Sequence, residues 1–253
     1  MAVVHKKGSP LYDKGMSEAG KFIAIASVGV LITICVGNAT KSDMLPFMIL
    51  VGFLIVGGYY SQKASILLHG SWGEHKTLSG LTDKLSDDYH IFVGVKVHEK
   101  MESDMVITGP NGVFVVEIKN FKGKIEGNAE DKDWILHKVG QEGGRYTKTI
   151  KNPLNQLRRN VYILSKYLKL QKSPAWIEGR TYFAGNNEWK NSIPDNCVSN
   201  MDVLAHFIRV YMPHHYLTAE QLAKINASLE KCISDSPAMT KADFEIEVAR
   251  FSH

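Results

Sequence analysis

The chain has 253 residues, 44% of them hydrophobic and 22% charged, a composition that suits one substantial globular domain with an appendage. Its three cysteines (Cys35, Cys197 and Cys232) are odd in number and far apart, which excludes a disulfide framework or a zinc-ligand spacing and favours a reducing compartment. The net charge of +4 is uneven, since residues 1–63 carry six lysines and three acids and the remainder 24 basic and 23 acidic residues. Any affinity for nucleic acid must therefore come from a local patch.

Two long apolar segments come first in the chain. Residues 22–40 and residues 45–62 contain no charged side chain, and runs of this length match the bilayer core at the rise of an α-helix. We therefore predict a two-helix transmembrane hairpin over residues 22–60. The alternative of a buried helical hairpin is weakened because neither segment has the polar face that a soluble helix keeps. A cleaved signal peptide is disfavoured because a second apolar segment follows at once.

The lysines around these segments predict an orientation. Four lysines precede the first segment, Lys41 alone lies between the two, and Lys63 follows the second; the four are Lys6, Lys7, Lys14 and Lys21. Basic residues are retained on the cytoplasmic side of a membrane. We predict a multi-pass protein of the inner (cytoplasmic) membrane, with both ends and the soluble domain in the cytoplasm.

An amphipathic helix is predicted directly after the membrane hairpin. Leu78, Leu81 and Leu85 follow helical spacing, and Glu74 stands at the predicted opening of the helix. Glu74 has two interpretations. It is either an accessory acid of a functional site or a partner of the helix dipole, which favours acids in a first turn.

A β-hairpin with an unusual set of charges follows. The turn 110–112 has the sequence Pro-Asn-Gly and separates two apolar strands, which is a strong local hairpin signal. Asp104 lies on the first strand, and Glu117 and Lys119 share one face of the second because side chains alternate along a strand. Two carboxylates can hold a hard divalent cation, and a lysine can steady an attacking water. The alternative is a solvated surface ion pair of little energetic weight.

A long basic segment follows the predicted strands. Residues 143–177 contain no acid, and apolar residues at helical spacing predict a helix over residues 154–168 with one buried stripe. Gln156 is predicted on a neighbouring face together with Arg159, Asn160 and Ile163. The residues predicted to bind a phosphate backbone are Arg145, Lys148, Lys151, Arg158, Arg159 and Lys166. The alternative is a surface helix whose cations confer solubility.

Four motifs in order resemble the NERD (nuclease-related domain) family, which belongs to the PD-(D/E)xK nuclease-like superfamily. They are Gly70-x-x-Gly73-Glu74, Asp104, Gly112-Val-Phe-Val-Val-Glu117-Ile-Lys119-Asn120 and Asn152-Pro153-x-x-Gln156. The resemblance spans about residues 68–185. It implies an α-β-β-β-α-β core, a divalent-metal site and action on nucleic acid. The active-site positions that it implies are Glu74, Asp104, Glu117, Lys119 and Gln156. One departure concerns Ser103 and Met105, since many relatives carry an apolar residue before the aspartate and a histidine after it.

The predicted organisation is an α/β fold with a PD-(D/E)xK (restriction-endonuclease-like) core, whose mixed central sheet is flanked by helices and preceded by two transmembrane helices. Strands over residues 123–127 and 133–139 are expected to continue that sheet. The predicted domains are a cytoplasmic N-terminal segment (1–21), the transmembrane hairpin (22–60), the nuclease-like domain (64–185) and a helical C-terminal extension (186–253). In the extension, Thr218 and Gln221 predict a capping box.

The preferred functional interpretation is a membrane-anchored, metal-dependent nuclease. Asp104 and Glu117 would hold Mg²⁺ or Mn²⁺ with the Ile118 carbonyl as a further ligand, and Lys119 would orient the attacking water. The expected partners are nucleic acid, with DNA favoured over RNA, and the lipid bilayer, with no organic cofactor. The alternative is a non-catalytic module that binds or senses nucleic acid, and a third interpretation is a membrane scaffold. The sequence contains no phosphate-binding glycine loop and no serine or cysteine triad.

Overall fold

The computed structural model describes residues 1–6, 10–40, 44–99, 101–140, 143–185, 187–233 and 237–250. The chain divides into two compact units, one formed by Gly8–Trp72 and the other by Met1–Lys7 together with Gly73–His253. The predicted connection that contains Lys41 lies outside the described residues, as does Lys7.

Six helices and ten strands are described. The helices are α1 (Pro10–Ala39), α2 (Met44–Lys84), α3 (Pro153–Leu170), α4 (Met201–Val210), α5 (Ala219–Glu230) and α6 (Lys241–Arg250). The strands are β1 (Val3–His5), β2 (His90–His98), β3 (Met101–Gly109), β4 (Gly112–Lys119), β5 (Gly123–Glu126), β6 (Asp133–Val139), β7 (Arg145–Lys151), β8 (Ile177–Phe183), β9 (Asn187–Trp189) and β10 (Cys197–Val198).

Unit Gly8–Trp72 consists of α1 and the first part of α2. Glycine allows the two helices to approach closely, because a Cβ atom at Gly29 would lie 2.6 Å from the Cβ atom of Phe53. A charged cluster lies toward one end, where Glu18 accepts hydrogen bonds from Lys21 at 2.9 Å and Lys63 at 3.2 Å. The unit is therefore a closely packed helical hairpin.

The apolar surface of this hairpin is exposed. Both helices are long and apolar enough to cross a membrane, and only 6% of the most apolar 18-residue stretch of each is buried. Ile23, Phe47 and Ile55 are 62%, 65% and 70% exposed. A core helix of a soluble protein would bury such residues, so these exposures contradict the alternative of a buried helical hairpin.

The other unit is a mixed α/β fold with two sheets. The six-stranded sheet has the order β1-β2-β3-β4-β8-β10, with β2, β3 and β4 antiparallel to one another and β4 parallel to β8. The predicted succession of helix, three strands, helix and strand is present as the end of α2, then β2, β3, β4, α3 and β8. The predicted α/β class with mixed sheets flanked by helices is confirmed.

The prediction that residues 123–127 and 133–139 continue the central sheet is wrong. They form β5 and β6 of a separate four-stranded sheet, whose order is β7-β6-β5-β9. The reason is that β8 occupies the edge of β4 that β5 would have needed. Gly123, with a φ of +122°, opens β5 in a backbone conformation that side-chain-bearing residues rarely adopt.

The first residues of the chain contribute a strand that the sequence analysis did not predict. β1 pairs in parallel with β2, with Val3 opposite His90 and His5 opposite Phe92. Three residues are too few for a periodicity signal. The N-terminal segment thus joins the same sheet as the strands that follow α2, although α1 and α2 separate the two in sequence.

Two hydrophobic cores cover the faces of the six-stranded sheet. On one face, Val113 and Val115 of β4 cluster with Leu157 and Leu164 of α3 and with residues of α5. On the other face, Phe114 and Val116 cluster with residues of α4 and of the last turns of α2. The predicted C-terminal helices therefore complete the core. The capping box of Thr218 and Gln221 at the start of α5 is confirmed.

The predicted helix start near Glu74 is wrong. Residue 74 lies deep inside α2, which runs without interruption from Met44 to Lys84. The glycines at 70 and 73 suggested a boundary, but single glycines only weaken a helix. The interpretation of Glu74 as a first-turn partner of the helix dipole is therefore excluded.

Candidate active site

The hairpin of β3 and β4 brings the two predicted carboxylates together. Met105 pairs with Val116 in the antiparallel register, and Asp104 and Glu117 are the residues that follow this last pair on the two strands. Directly opposite residues of neighbouring strands project from the same face. Asp104 and Glu117 therefore lie side by side on the face of the sheet that α3 covers.

Glu117 is the centre of a hydrogen-bond network. Its side chain is fully buried, and Lys119 Nζ donates to Oε1 at 2.6 Å. The same Lys119 Nζ donates to Gln156 Oε1 at 3.2 Å. Asn160 Nδ2 donates to Glu117 Oε2 at 3.3 Å and to the Glu102 carbonyl at 2.9 Å. The predicted trio of Glu117, Lys119 and Gln156 is thus brought into contact, together with an asparagine of α3.

Asp104 is fixed by the backbone of the opposite strand. The Ile118 N–H donates to Asp104 Oδ2 at 2.6 Å. Burial, followed by the negative charge of Asp104, raises the pKa of Glu117, so the two carboxyl groups interact. The observed contribution of Ile118 is therefore its N–H, while its carbonyl as a metal ligand stays a prediction.

Glu74 reaches the same acidic region from α2. The helix passes very close to the end of β4, because a Cβ atom at Gly73 would lie 3.0 Å from the Cβ atom of Asn120. Glycine at position 73 permits this approach. Burial, followed by the negative charges of Asp104 and Glu102, raises the pKa of Glu74. Asp104 thus acts on both other acids of the predicted site, Glu74 and Glu117.

The site carries an excess of negative charge. Burial and the charge of Asp104 raise the pKa of Glu117 from 4.5 to about 8, although Lys119 acts in the opposite direction. Burial, followed by Asp104 and Glu102, likewise raises the pKa of Glu74 to about 8. Low-dielectric surroundings and like charges both disfavour ionised carboxylates. A bound cation would supply the missing positive charge.

The donor set fits a magnesium-type ion. Among the described residues no group of three or more His, Cys, Asp and Glu side chains is arranged to hold a metal. Mg²⁺, however, is usually held by one or two carboxylates, with water and substrate phosphate completing its shell. Asp104 and Glu117 are such a pair, and the buried oxygen Asn160 Oδ1 beside them has no hydrogen-bond partner within the described residues.

The predicted nucleic-acid-binding residues fall on two separate elements. Three of them, Arg145, Lys148 and Lys151, lie on β7 of the four-stranded sheet. The other three lie on α3 and are Arg158, Arg159 and Lys166. Strand alternation places Arg145 and Lys151 on one face and Lys148 on the other.

The cations of α3 have local partners. Arg158 forms an ion pair with the exposed Glu130 at 2.8 Å, and Lys166 lies over the ring of Tyr162. Arg159 is exposed.

The predicted face around Gln156 differs from the expectation, since Asn160 and Ile163 are buried. That face is therefore partly core, because α3 packs more deeply onto β4 and β8 than its leucine stripe alone indicates.

Two polar residues near the carboxylates were not predicted as site residues. Asn160 contacts Glu117 directly, and Thr181 of β8 is the registered neighbour of Glu117 in the parallel ladder. Thr181 is fully buried, and its hydroxyl has no hydrogen-bond partner in the described part of the chain. The sequence does carry a signal for Asn160, since it stands at helical spacing between the buried Leu157 and Leu164.

The structure thus contains a mixed α/β domain, flanked by helices, with an acidic cluster at the end of its central hairpin. Residues 69–184 match the family model NERD, described as a nuclease-related domain. The match includes all five implied active-site positions and confirms the resemblance found from the motifs. No curated protein and no solved structure matches the chain.

Proposed function

We propose that this chain is a membrane-anchored, divalent-metal-dependent nuclease that hydrolyses phosphodiester bonds of nucleic acid, DNA in preference to RNA, on the cytoplasmic side of the membrane. The observation that carries the proposal is the convergence of Asp104 and Glu117 on one face, with Lys119 joining Glu117 to Gln156. Binding alone has no use for clustered carboxylates, which repel phosphate.

Each residue of the site has a definite role in this proposal. Asp104 and Glu117 hold Mg²⁺ or Mn²⁺, and the ion when bound lowers the pKa of a coordinated water and stabilises charge on the phosphate. Lys119 orients the nucleophilic water and faces the charge that develops on the scissile phosphate. Gln156 fixes the lysine by accepting its hydrogen bond. Glu74 approaches from α2 and completes the acidic surroundings.

A non-catalytic module that binds or senses nucleic acid is the second candidate. One observation favours it: Lys119 Nζ lies 2.6 Å from Glu117 Oε1 and so acts as an internal counter-ion for that carboxylate. Fold does not guarantee activity. Under this candidate function the domain would bind nucleic acid and leave it intact.

The membrane part of the proposal is supported by both units. The apolar surface of α1 and α2 is exposed, as a lipid-facing surface would be. In addition, β1 precedes α1 and β2 follows α2, yet the two strands pair in one sheet. A chain that crosses a membrane between these strands must therefore cross it an even number of times.

The nuclease proposal is tested with the full chain in a neutral detergent, incubated with labelled single-stranded DNA, duplex DNA and RNA. We expect cleavage with Mg²⁺ or Mn²⁺ and none with EDTA, because the carboxylate pair needs a cation. Binding without cleavage would assign the chain to the binding module. Absence of both binding and cleavage would overturn the nucleic-acid function altogether.

The topology is tested with reporters at the N-terminus, at residue 42 and at the C-terminus. We expect the two ends on one side because β1 pairs with β2, and on the cytoplasmic side because the lysine distribution favours it, with residue 42 on the opposite side. Reporters on one side at all three positions would disprove the transmembrane hairpin.

A further inference from the structure

A fully buried asparagine lies in the middle of α3, on the side of the helix that packs onto the sheet. Asn160 is 0% exposed, and its neighbours at helical spacing, Leu157 and Leu164, belong to the hydrophobic core. A buried amide is unfavourable unless its polar atoms form hydrogen bonds. An apolar side chain at this position would simply extend the leucine stripe. Packing alone therefore gives no reason for an amide here.

The nitrogen of this amide joins α3 to both strands of the acidic hairpin. Asn160 Nδ2 donates to the Glu102 carbonyl of β3 at 2.9 Å and to Glu117 Oε2 of β4 at 3.3 Å. A side-chain amide has two N–H donors, so these two bonds use both of them. The carboxylate of Glu117 is also held at its other oxygen, since Lys119 Nζ lies 2.6 Å from Oε1. The two contacts together restrict rotation of this carboxylate.

The oxygen of the same amide is buried without a protein donor. Asn160 Oδ1 has no hydrogen-bond partner in the ranges that the structure describes, and the same is true of the hydroxyl oxygen of Thr181. Thr181 is the registered neighbour of Glu117 on β8. Buried polar atoms nearly always bond to the protein, to bound water or to an ion. Two such atoms beside one carboxylate make the surroundings of Glu117 suitable for a hydrated ion.

A divalent cation at Asp104 and Glu117 has a use for both ends of the amide. Mg²⁺ keeps several of its waters when one or two carboxylates bind it, and those waters are hydrogen-bond donors. Carboxylates that ligate metals are in turn hydrogen-bonded by supporting residues, whose replacement typically lowers metal affinity by about 10- to 100-fold. Asn160 offers a donor to the carboxylate and an acceptor to a water.

We propose that Asn160 is a positioning residue of the metal site, with Nδ2 fixing the orientation of Glu117 and Oδ1 accepting a hydrogen bond from a water of the bound cation. The role rests on the proposed function, because it requires a cation at Asp104 and Glu117. It adds to that function an uncharged residue of α3.

Asn160→Leu tests this role, because leucine keeps the branched shape of the side chain and forms neither hydrogen bond. The full chain in a neutral detergent is titrated with Mn²⁺ alone in a calorimeter, and the dissociation constant should rise by about 10- to 100-fold over wild type. The matched control is Asn226→Leu, which replaces a buried asparagine of α5 that accepts a hydrogen bond from Thr108 Oγ1 at 2.6 Å. This control should lose thermal stability as well, yet keep the wild-type affinity for Mn²⁺.

Asn160→Ala repeats the test with a smaller side chain, so that water can reach the Glu102 carbonyl and a failure of the leucine variant to fold decides nothing. It should weaken Mn²⁺ binding within the same range. If wild type binds Mn²⁺ and the Asn160 variants bind it equally well, or if the Asn226 control is weakened as much as they are, Asn160 serves the fold alone. The inference is then overturned while the nuclease proposal stands. If wild type binds no Mn²⁺, both are overturned.

Discussion

Replacement of Asp104 by Asn, or of Glu117 by Gln, is expected to reduce metal-dependent cleavage by more than about 100-fold, because even residues that only support a metal ligand are worth about 10- to 100-fold. Each change keeps the shape of the side chain and removes one negative charge. In the Asp104→Asn variant the amide oxygen can still accept the hydrogen bond from Ile118 N–H, which in the native chain is 2.6 Å long. Affinity for nucleic acid should persist or rise, since repulsion of phosphate is relieved.

Three further variants test whether the loss of cleavage is specific to these two acids. Asp88→Asn and Glu220→Gln make the same chemical changes at exposed positions and should cleave as wild type does. Lys119→Ala should also abolish cleavage but weaken binding, because it removes a cation that faces the phosphate. Rate assays and binding assays on the same preparations separate these outcomes. If the two acid variants retain cleavage while their melting temperatures fall steeply, the acids are structural and the catalytic assignment is wrong.

The metal-free protein is expected to lose stability as the pH rises from about 4.5 to about 8. In the folded chain the pKa values of Glu74 and Glu117 are raised to about 8, whereas in the unfolded chain they return to about 4.5. Between these values the folded state binds more protons than the unfolded state, so the free energy of unfolding falls with rising pH. Mn²⁺ should counteract the loss, and its effect should grow with pH because the ion binds deprotonated carboxylates.

Thermal or urea denaturation at several pH values, with and without Mn²⁺, measures this effect. Glu117→Gln resembles the protonated acid, so it should flatten the pH profile and diminish the shift produced by Mn²⁺. Asp88→Asn should show the same pH profile and the same Mn²⁺-induced shift as wild type. A metal-free protein whose stability rises between pH 5 and pH 8 would contradict the raised pKa values of the two acids. A melting temperature that Mn²⁺ leaves unchanged would show that no cation site exists among these acids.

Several parts of the site could be predicted from the sequence because the relevant information is local. The Pro110-Asn111-Gly112 sequence predicts the hairpin, which the structure closes through Pro110 and Asn111 between the paired Gly109 and Gly112. Strand alternation places Glu117 and Lys119 on one face. The spacing of apolar residues predicts α3 and hence the approximate position of Gln156. The structure brings these residues within hydrogen-bond distance, as expected.

Other parts of the site depend on which segments of the chain pack against one another. Asn160 and Thr181 adjoin Glu117 only because α3 and β8 pack against β4, and neither residue belongs to a charged motif. Glu74 was expected at a helix start, but α2 continues through it, because tertiary packing overrides the weak helix-breaking tendency of glycine.

The sequence by itself determined the two apolar helices, the acidic hairpin and the basic helix, because length, periodicity and turn chemistry are properties of neighbouring residues. Only the tertiary structure decided that β1 joins β2, that β8 takes the edge of β4, and that β5, β6 and β7 form a second sheet. Strand partners far apart in sequence are selected by the packing of both sheet faces and by the entropy of closing the loops between them, and neither quantity can be derived from a local pattern.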